Sequence, residues 1–129
     1  MALTQEALRF GGSGVANTVV GLACIFAAKA VGVGDVPANL FGYGIGLALS
    51  FFLNRRWTFT SQGAVLPQAW RFLLSFGVAY GLNLITVLGM RDLVGLDAYV
   101  AQLLGVFPYA ASFFLLSRYL VFKDGENGN

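Results

Sequence analysis

Apolar residues run through this chain in long blocks rather than in the three-to-four residue rhythm of a helix that is wet on one face. Four windows, 10–28, 36–54, 72–90 and 98–117, contain no Asp, Glu, Lys or Arg and hold 19, 19, 19 and 20 residues. At about 1.5 Å per residue each reaches about 28–30 Å as a helix, the thickness of the hydrocarbon layer. The pattern predicts an all-α membrane protein with four transmembrane helices. Outer connections fall at 32–37 and 91–97, where Gly, Asp and Pro suit tight turns between antiparallel helices. A middle connection is expected at 55–71, with Trp57, Phe59 and Trp70 along the headgroup boundary.

The blocks repeat. With an offset of 63, Ala38, Leu40, Gly42, Ala48, Phe51, Leu53, Arg55 and Phe59 meet identical residues at Ala101, Leu103, Gly105, Ala111, Phe114, Leu116, Arg118 and Phe122, eight identities in 22 positions. Earlier in each unit Arg9, Phe10 and Ser13 answer to Arg71, Phe72 and Ser75, and Gly14, Val15 and Ala16 to Gly77, Val78 and Ala79. Residues 1–129 therefore read as one transmembrane domain of two helical hairpins, repeat unit 1 about 9–59 and repeat unit 2 about 71–122. A hairpin crosses the bilayer twice, so both copies enter from the same side as parallel repeats about an axis along the membrane normal.

Composition agrees: 57% apolar and 11% charged is not the balance of a water-soluble domain. The net charge of +2 matters less than its distribution. Arg9, Arg55, Arg56, Arg71, Arg118 and Lys123 fall on the side shared by the termini and the middle connection, and the opposite side holds Lys29 and Arg91. The positive-inside rule then makes both termini cytoplasmic. Arg9 before an apolar run resembles the start of a signal peptide, but the run is long and no convincing small-residue cleavage site follows before Asp35, so a retained helix is expected. The single Cys24 lies mid-span, so no disulfide forms within one chain.

Several side chains are candidates for chemistry at the water boundary. Arg55, Arg56 and Arg118 stand at the cytoplasmic ends of the second and fourth helices, where they complement a helix C-terminus or hold a phosphate in a bidentate fork. Arg55 and Arg118 hold the same place in both halves, so two halves of one anion clamp are conceivable, with Arg9 and Arg71 beside them. Lys29 and Arg91 either snorkel to the outer headgroups or form a second cationic station. Asn17, Asn39, Asn83 and Gln102 are read as buried amides that bond between helices or touch sugar hydroxyls. Ala38, Gly42, Gly46 and Ser50, four apart, make a stripe of small residues, for close packing within or between protomers or for a groove that admits an acyl chain; Gly77 and Gly81 offer a shorter version.

Other chemistry is missing from the sequence. There is no histidine, no Gly-x-x-x-x-Gly-Lys-Ser/Thr loop and no Cys and His cluster, and none of the four windows contains a carboxylate. No enzyme, metal or cofactor is expected. A small multidrug exporter of similar length would carry a membrane-buried glutamate in its first helix, which the first window lacks.

Arg9-Phe10 with Gly14 and Asn17, Ala38-Asn39, Ser50-Phe51 through Asn54-Arg55, Trp57-Thr58-Phe59, Ser117-Arg118-Tyr119 and Val121-Phe122-Lys123 together resemble the GtrA-like family of small four-helix bacterial membrane proteins. Leu120 departs from the pattern, where the family often has another aromatic. The resemblance implies a flippase that moves a polyprenyl-phosphate-linked sugar from the cytoplasmic to the outer leaflet of the bacterial inner membrane, for cell-envelope polysaccharide modification. It also implies a glycosyltransferase partner. On that reading Arg55, Arg56, Arg118, Arg9 and Arg71 receive the phosphate, and Lys29, Asn39, Arg91, Gln102, Asn17 and Asn83 serve the outer exit or the sugar. The alternative is a non-transporting subunit that docks or organises the glycosyltransferase. Four helices leave little room to enclose such a lipid, so a homo-oligomer is expected.

Overall fold

The computed structural model describes residues 2–123. Helix α1 spans Leu3–Ala30, α2 Asp35–Leu53, α3 Val65–Leu88 and α4 Ala98–Leu116. Three of them run on into a single π turn, Asn54–Thr58 after α2, Gly89–Leu93 after α3 and Ser117–Val121 after α4. With those turns included the four helices measure 28, 24, 29 and 24 residues, each long and apolar enough to cross a bilayer, and no strand occurs among the described residues. The chain divides between Ser61 and Gln62 into two compact units, the α1–α2 hairpin and the α3–α4 hairpin.

The helices overrun the charge-free windows at the arginine-bearing ends. Helix α1 begins at Leu3 and α3 at Val65, so Arg9 and Arg71 lie inside helices and the middle connection shrinks from the expected 55–71 to 59–64. The reason is physical: a lack of charge marks what can sit in hydrocarbon, whereas helix ends are set by backbone chemistry. Pro67 falls in the first turn of α3, where its missing N–H interrupts no intrahelical bond. The two turn connections hold Gly32 and Gly95 at φ 94° and 86°, a left-handed conformation that a Cβ would strain. Asp97 caps α4 by accepting a 3.0 Å bond from the Tyr99 amide.

In the first hairpin the small-residue stripe faces α1. Ala38, Gly42, Gly46 and Ser50 are all buried, and the backbones touch: a methyl group added to Gly46 would lie 3.2 Å from the Asn17 carbonyl oxygen, and one added to Gly21 would lie 3.1 Å from that of Gly42. Gly77 and Gly81, by contrast, have no neighbour within 4 Å of such a methyl. The second hairpin closes on aromatic rings instead. Phe72 stands 4.9 Å from Phe113 and 6.2 Å from Phe122, while Phe76 meets Tyr109 and Phe113 edge-on. Leu66, Ile85, Leu103 and Phe107 are exposed on the helices, as a lipid-facing surface requires.

Candidate functional site

The arginine-bearing end of each hairpin is built by a four-residue period. Beyond Ser50 the stripe continues to Asn54 (1% exposed) and Thr58 (0%), and its counterpart runs Ala101, Gly105, Tyr109, Phe113, Ser117 and Val121, with only Tyr109 half-buried. An α-helix turns every 3.6 residues, so a row spaced by four drifts round the axis. A π turn takes in one more residue, and it occurs in both hairpins where the row would leave the interface. The amide of Phe59 bonds the Asn54 carbonyl at 2.9 Å and that of Phe122 bonds the Ser117 carbonyl at 2.9 Å, 63 residues apart. Thr60, at φ 45°, then turns the chain away from the first hairpin.

This geometry fixes the side chains of the motif in the first hairpin. Asn54 and Thr58 point inward, Arg55 is half-buried, and Arg56 and Trp57 are exposed. The Thr58 and Ser13 hydroxyls meet at 3.1 Å, and Asn54 Nδ2 donates to Ser50 Oγ at 3.2 Å. Asn54 Oδ1 is buried without a hydrogen bond. Arg9, half-buried on α1, donates from Nη1 to the Trp57 carbonyl at 2.9 Å, and its guanidinium lies 5.3 Å from the centre of the Trp57 ring. Phe59, expected at the headgroup boundary, is buried near Phe10, 6.5 Å between ring centres, while Trp57 and Trp70 are exposed.

In the second hairpin Arg71 and Arg118 are half-buried, and the Arg118 guanidinium lies 5.3 Å from the Tyr119 ring centre. Ser75 and Ser117 are buried in the places of Ser13 and Asn54, and Gln68 (0% exposed) in that of Glu6. Glu6 is a carboxylate buried at the first turn of α1, outside the four charge-free windows. A shallow cavity of about 200 Å³ opens between α3 and the end of α4, with Arg71 and Lys123 among its lining.

The structure thus brings Arg9, Ser13, Asn54, Thr58 and Trp57 together in one hairpin, and Arg71, Ser75 and Lys123 in the other. It does not bury the amides as expected. Asn39 and Gln102 are exposed and Asn17 and Asn83 half-buried, because Ala38 and Ala101 face the partner helix and the next residue points about 100° away. At the turn ends Lys29 pairs with Asp35 at 2.9 Å and Arg91 with Asp92 at 2.8 Å, all four side chains well exposed. Asn54 and Thr58, quoted only as part of the motif, and Gln68, Glu6 and Lys123 were missed as site residues. The first two were within reach, since the four-residue period that singled out Ala38 to Ser50 continues through them.

Two apolar hairpins, each with a cationic end lined by buried hydroxyls and amides, define a multi-pass membrane protein whose buried polar groups gather at one water boundary of each hairpin. Residues 9–122 match the family model described as GtrA/DPMS, transmembrane domain, and the chain belongs to that family, whose members are small membrane proteins, generally not catalytic, involved in handling lipid-linked sugars. No curated protein matches the chain.

Proposed function

We propose that the chain moves a polyprenyl-phosphate-linked sugar from the cytoplasmic to the outer leaflet of the bacterial inner membrane, beside a glycosyltransferase that charges the lipid and in support of cell-envelope polysaccharide modification. The observation that carries this reading is the recurrence at each hairpin's closing turn of a half-buried arginine, Arg55 and Arg118, with a second half-buried arginine on the facing helix, Arg9 and Arg71. Positive-inside orientation puts these ends and both termini in the cytoplasm.

A phosphate leaving water for hydrocarbon bears a prohibitive desolvation cost unless protein groups replace its hydration. Arginines supply forked N–H donors for the phosphate oxygens, with Arg56 available from the exposed side of the first closing turn. Asn17 and Asn83, half-buried further along each hairpin, and Asn39 and Gln102 on exposed faces offer hydrogen bonds to sugar hydroxyls. Lys29 and Arg91 already have carboxylate partners, so they exchange partners with a departing phosphate rather than trap it. Net direction comes from consumption of the sugar on the outer side, and a homo-oligomer supplies the enclosure that one short chain lacks.

The test is uptake of a short-chain, labelled lipid-phosphate sugar into proteoliposomes. The parent protein is expected to transport it, with Arg55→Ala and Arg118→Ala each slowing transport at least tenfold. A purified chain that transports nothing yet co-purifies with and activates a glycosyltransferase supports the docking role instead.

A further inference from the structure

The two hairpins differ at the place where their arginine ends should match. In the second, Leu74, Ser75 and Val78 lie three, four and seven residues beyond Arg71 on one face of α3, and Leu116, Leu120 and Lys123 climb the end of α4 opposite them. The result is an open groove of about 200 Å³ with two cations at its mouth and leucine and valine walls below. It descends about 10 Å along α3 from Arg71 to Val78, at about 1.5 Å per residue.

In the first hairpin Arg9, Gly12 and Ser13 correspond to Arg71, Leu74 and Ser75, Leu53 and Trp57 to Leu116 and Leu120, and Thr60 stands where the second has Lys123. Trp57 fills the space. Its ring lies against Gly12, so close that an added methyl there would sit 3.3 Å from Cη2, and it covers the Arg9 guanidinium while its carbonyl accepts from Nη1. Leucine at position 120 is what leaves the second groove open.

We propose that the groove between α3 and the end of α4 binds the phosphate head and first hydrocarbon segment of a lipid monophosphate, with Arg71 and Lys123 on the phosphate and Leu74, Val78, Leu116 and Leu120 on the chain, and that Trp57 closes the equivalent place in the first hairpin. The chemistry identifies the occupant. Cations over an apolar slot at a membrane surface match an amphiphile with a compact anionic head. Free phosphate leaves the slot unused, and an isoprenoid alcohol leaves the cations unused. This assignment rests on the proposed transport reading and adds to it that the hairpins are inequivalent, the second receiving the lipid.

The experiment titrates farnesyl phosphate, farnesol and inorganic phosphate against the full chain in phosphatidylcholine nanodiscs, where no anionic lipid competes. Farnesyl phosphate should bind at least tenfold more tightly than either fragment. Leu120→Trp, which copies the plug of the first hairpin, and Lys123→Ala, which trims an exposed side chain without touching the core, should each weaken it at least tenfold. Leu66→Trp, an indole added to an exposed site of the same hairpin, should leave it within twofold. Equal binding of farnesyl phosphate by the parent, Leu120→Trp and Lys123→Ala overturns the assignment, as does binding of either fragment as tightly as farnesyl phosphate. Transport measured on the same proteins in proteoliposomes separates the claims: a parent that transports while groove variants bind normally sinks the groove alone, and a groove that binds as described in a chain that transports nothing sinks the transport reading.

Discussion

Replacing Gly42 by alanine tests whether the small-residue stripe joins α1 to α2. The new Cβ would lie 2.6 Å from the Gly21 carbonyl oxygen and 2.9 Å from Ile25 Cδ1, where ordinary contact begins at 3.4 Å. Isoleucine can swing aside, but the oxygen belongs to the backbone of α1. The helices must therefore part by about 0.8 Å at the crossing, a displacement of the kind that costs about 1–3 kcal/mol in a close-packed interior. Gly44→Ala is the control, since it lies half a turn away on the same helix with nothing within 4 Å. Both substitutions gain the same helix propensity, up to about 1 kcal/mol. Their difference isolates the steric term, so Gly42→Ala should be less stable than Gly44→Ala by about 1–3 kcal/mol. The assay is unfolding of the purified chain by SDS titration in mixed micelles, followed by circular dichroism. Equal midpoints for the two variants refute the packing of α1 on α2 through this stripe.

Gly105→Ala should cost less than Gly42→Ala, under about 1.5 kcal/mol in the same titration, because its nearest obstacles are the ends of the Asn83 and Val87 side chains. Ser13→Ala should destabilise the first hairpin by about 1–3 kcal/mol by leaving the buried Thr58 hydroxyl unmatched, and adding Thr58→Val should recover most of that loss in a double-mutant cycle. Arg9→Ala removes both the bond to the Trp57 carbonyl and the cation over its ring, so stability should fall by about 1 kcal/mol. In a Trp70→Phe background the Trp57 emission should shift to the red, and Arg9→Lys should restore the shift only in part.

Much of this is legible in the sequence. Charge-free windows marked the four spans, the glycines at 32 and 95 marked the turns, and four-residue spacing from Ala38 to Ser50 marked a close-packing stripe without saying which helix it meets. What the sequence concealed follows from how little distinguishes local alternatives. An α turn and a π turn satisfy the same backbone groups, so nothing in Asn-Arg-Arg-Trp-Thr announces the wider one. Asn39 and Gln102 looked like interior amides because long apolar segments have no wet face to reveal which residues point at a neighbour. They sit one residue beyond buried alanines and so face outward. Lys123 read as a topological charge because its role depends on Leu120 being smaller than Trp57, a difference of volume at one repeat position. That departure from the aromatic pattern is what opens the groove.

The proposed function requires this chain, alone in a bilayer, to carry a lipid phosphate across it. Its most direct measurement is the time course of outer-leaflet appearance of a labelled short-chain polyprenyl-phosphate sugar in proteoliposomes holding only the purified protein. Transport above that of protein-free vesicles is expected, slowed at least tenfold by Arg55→Ala and by Arg118→Ala. Parent protein no faster than empty vesicles, or alanine variants that keep pace with the parent, would contradict it.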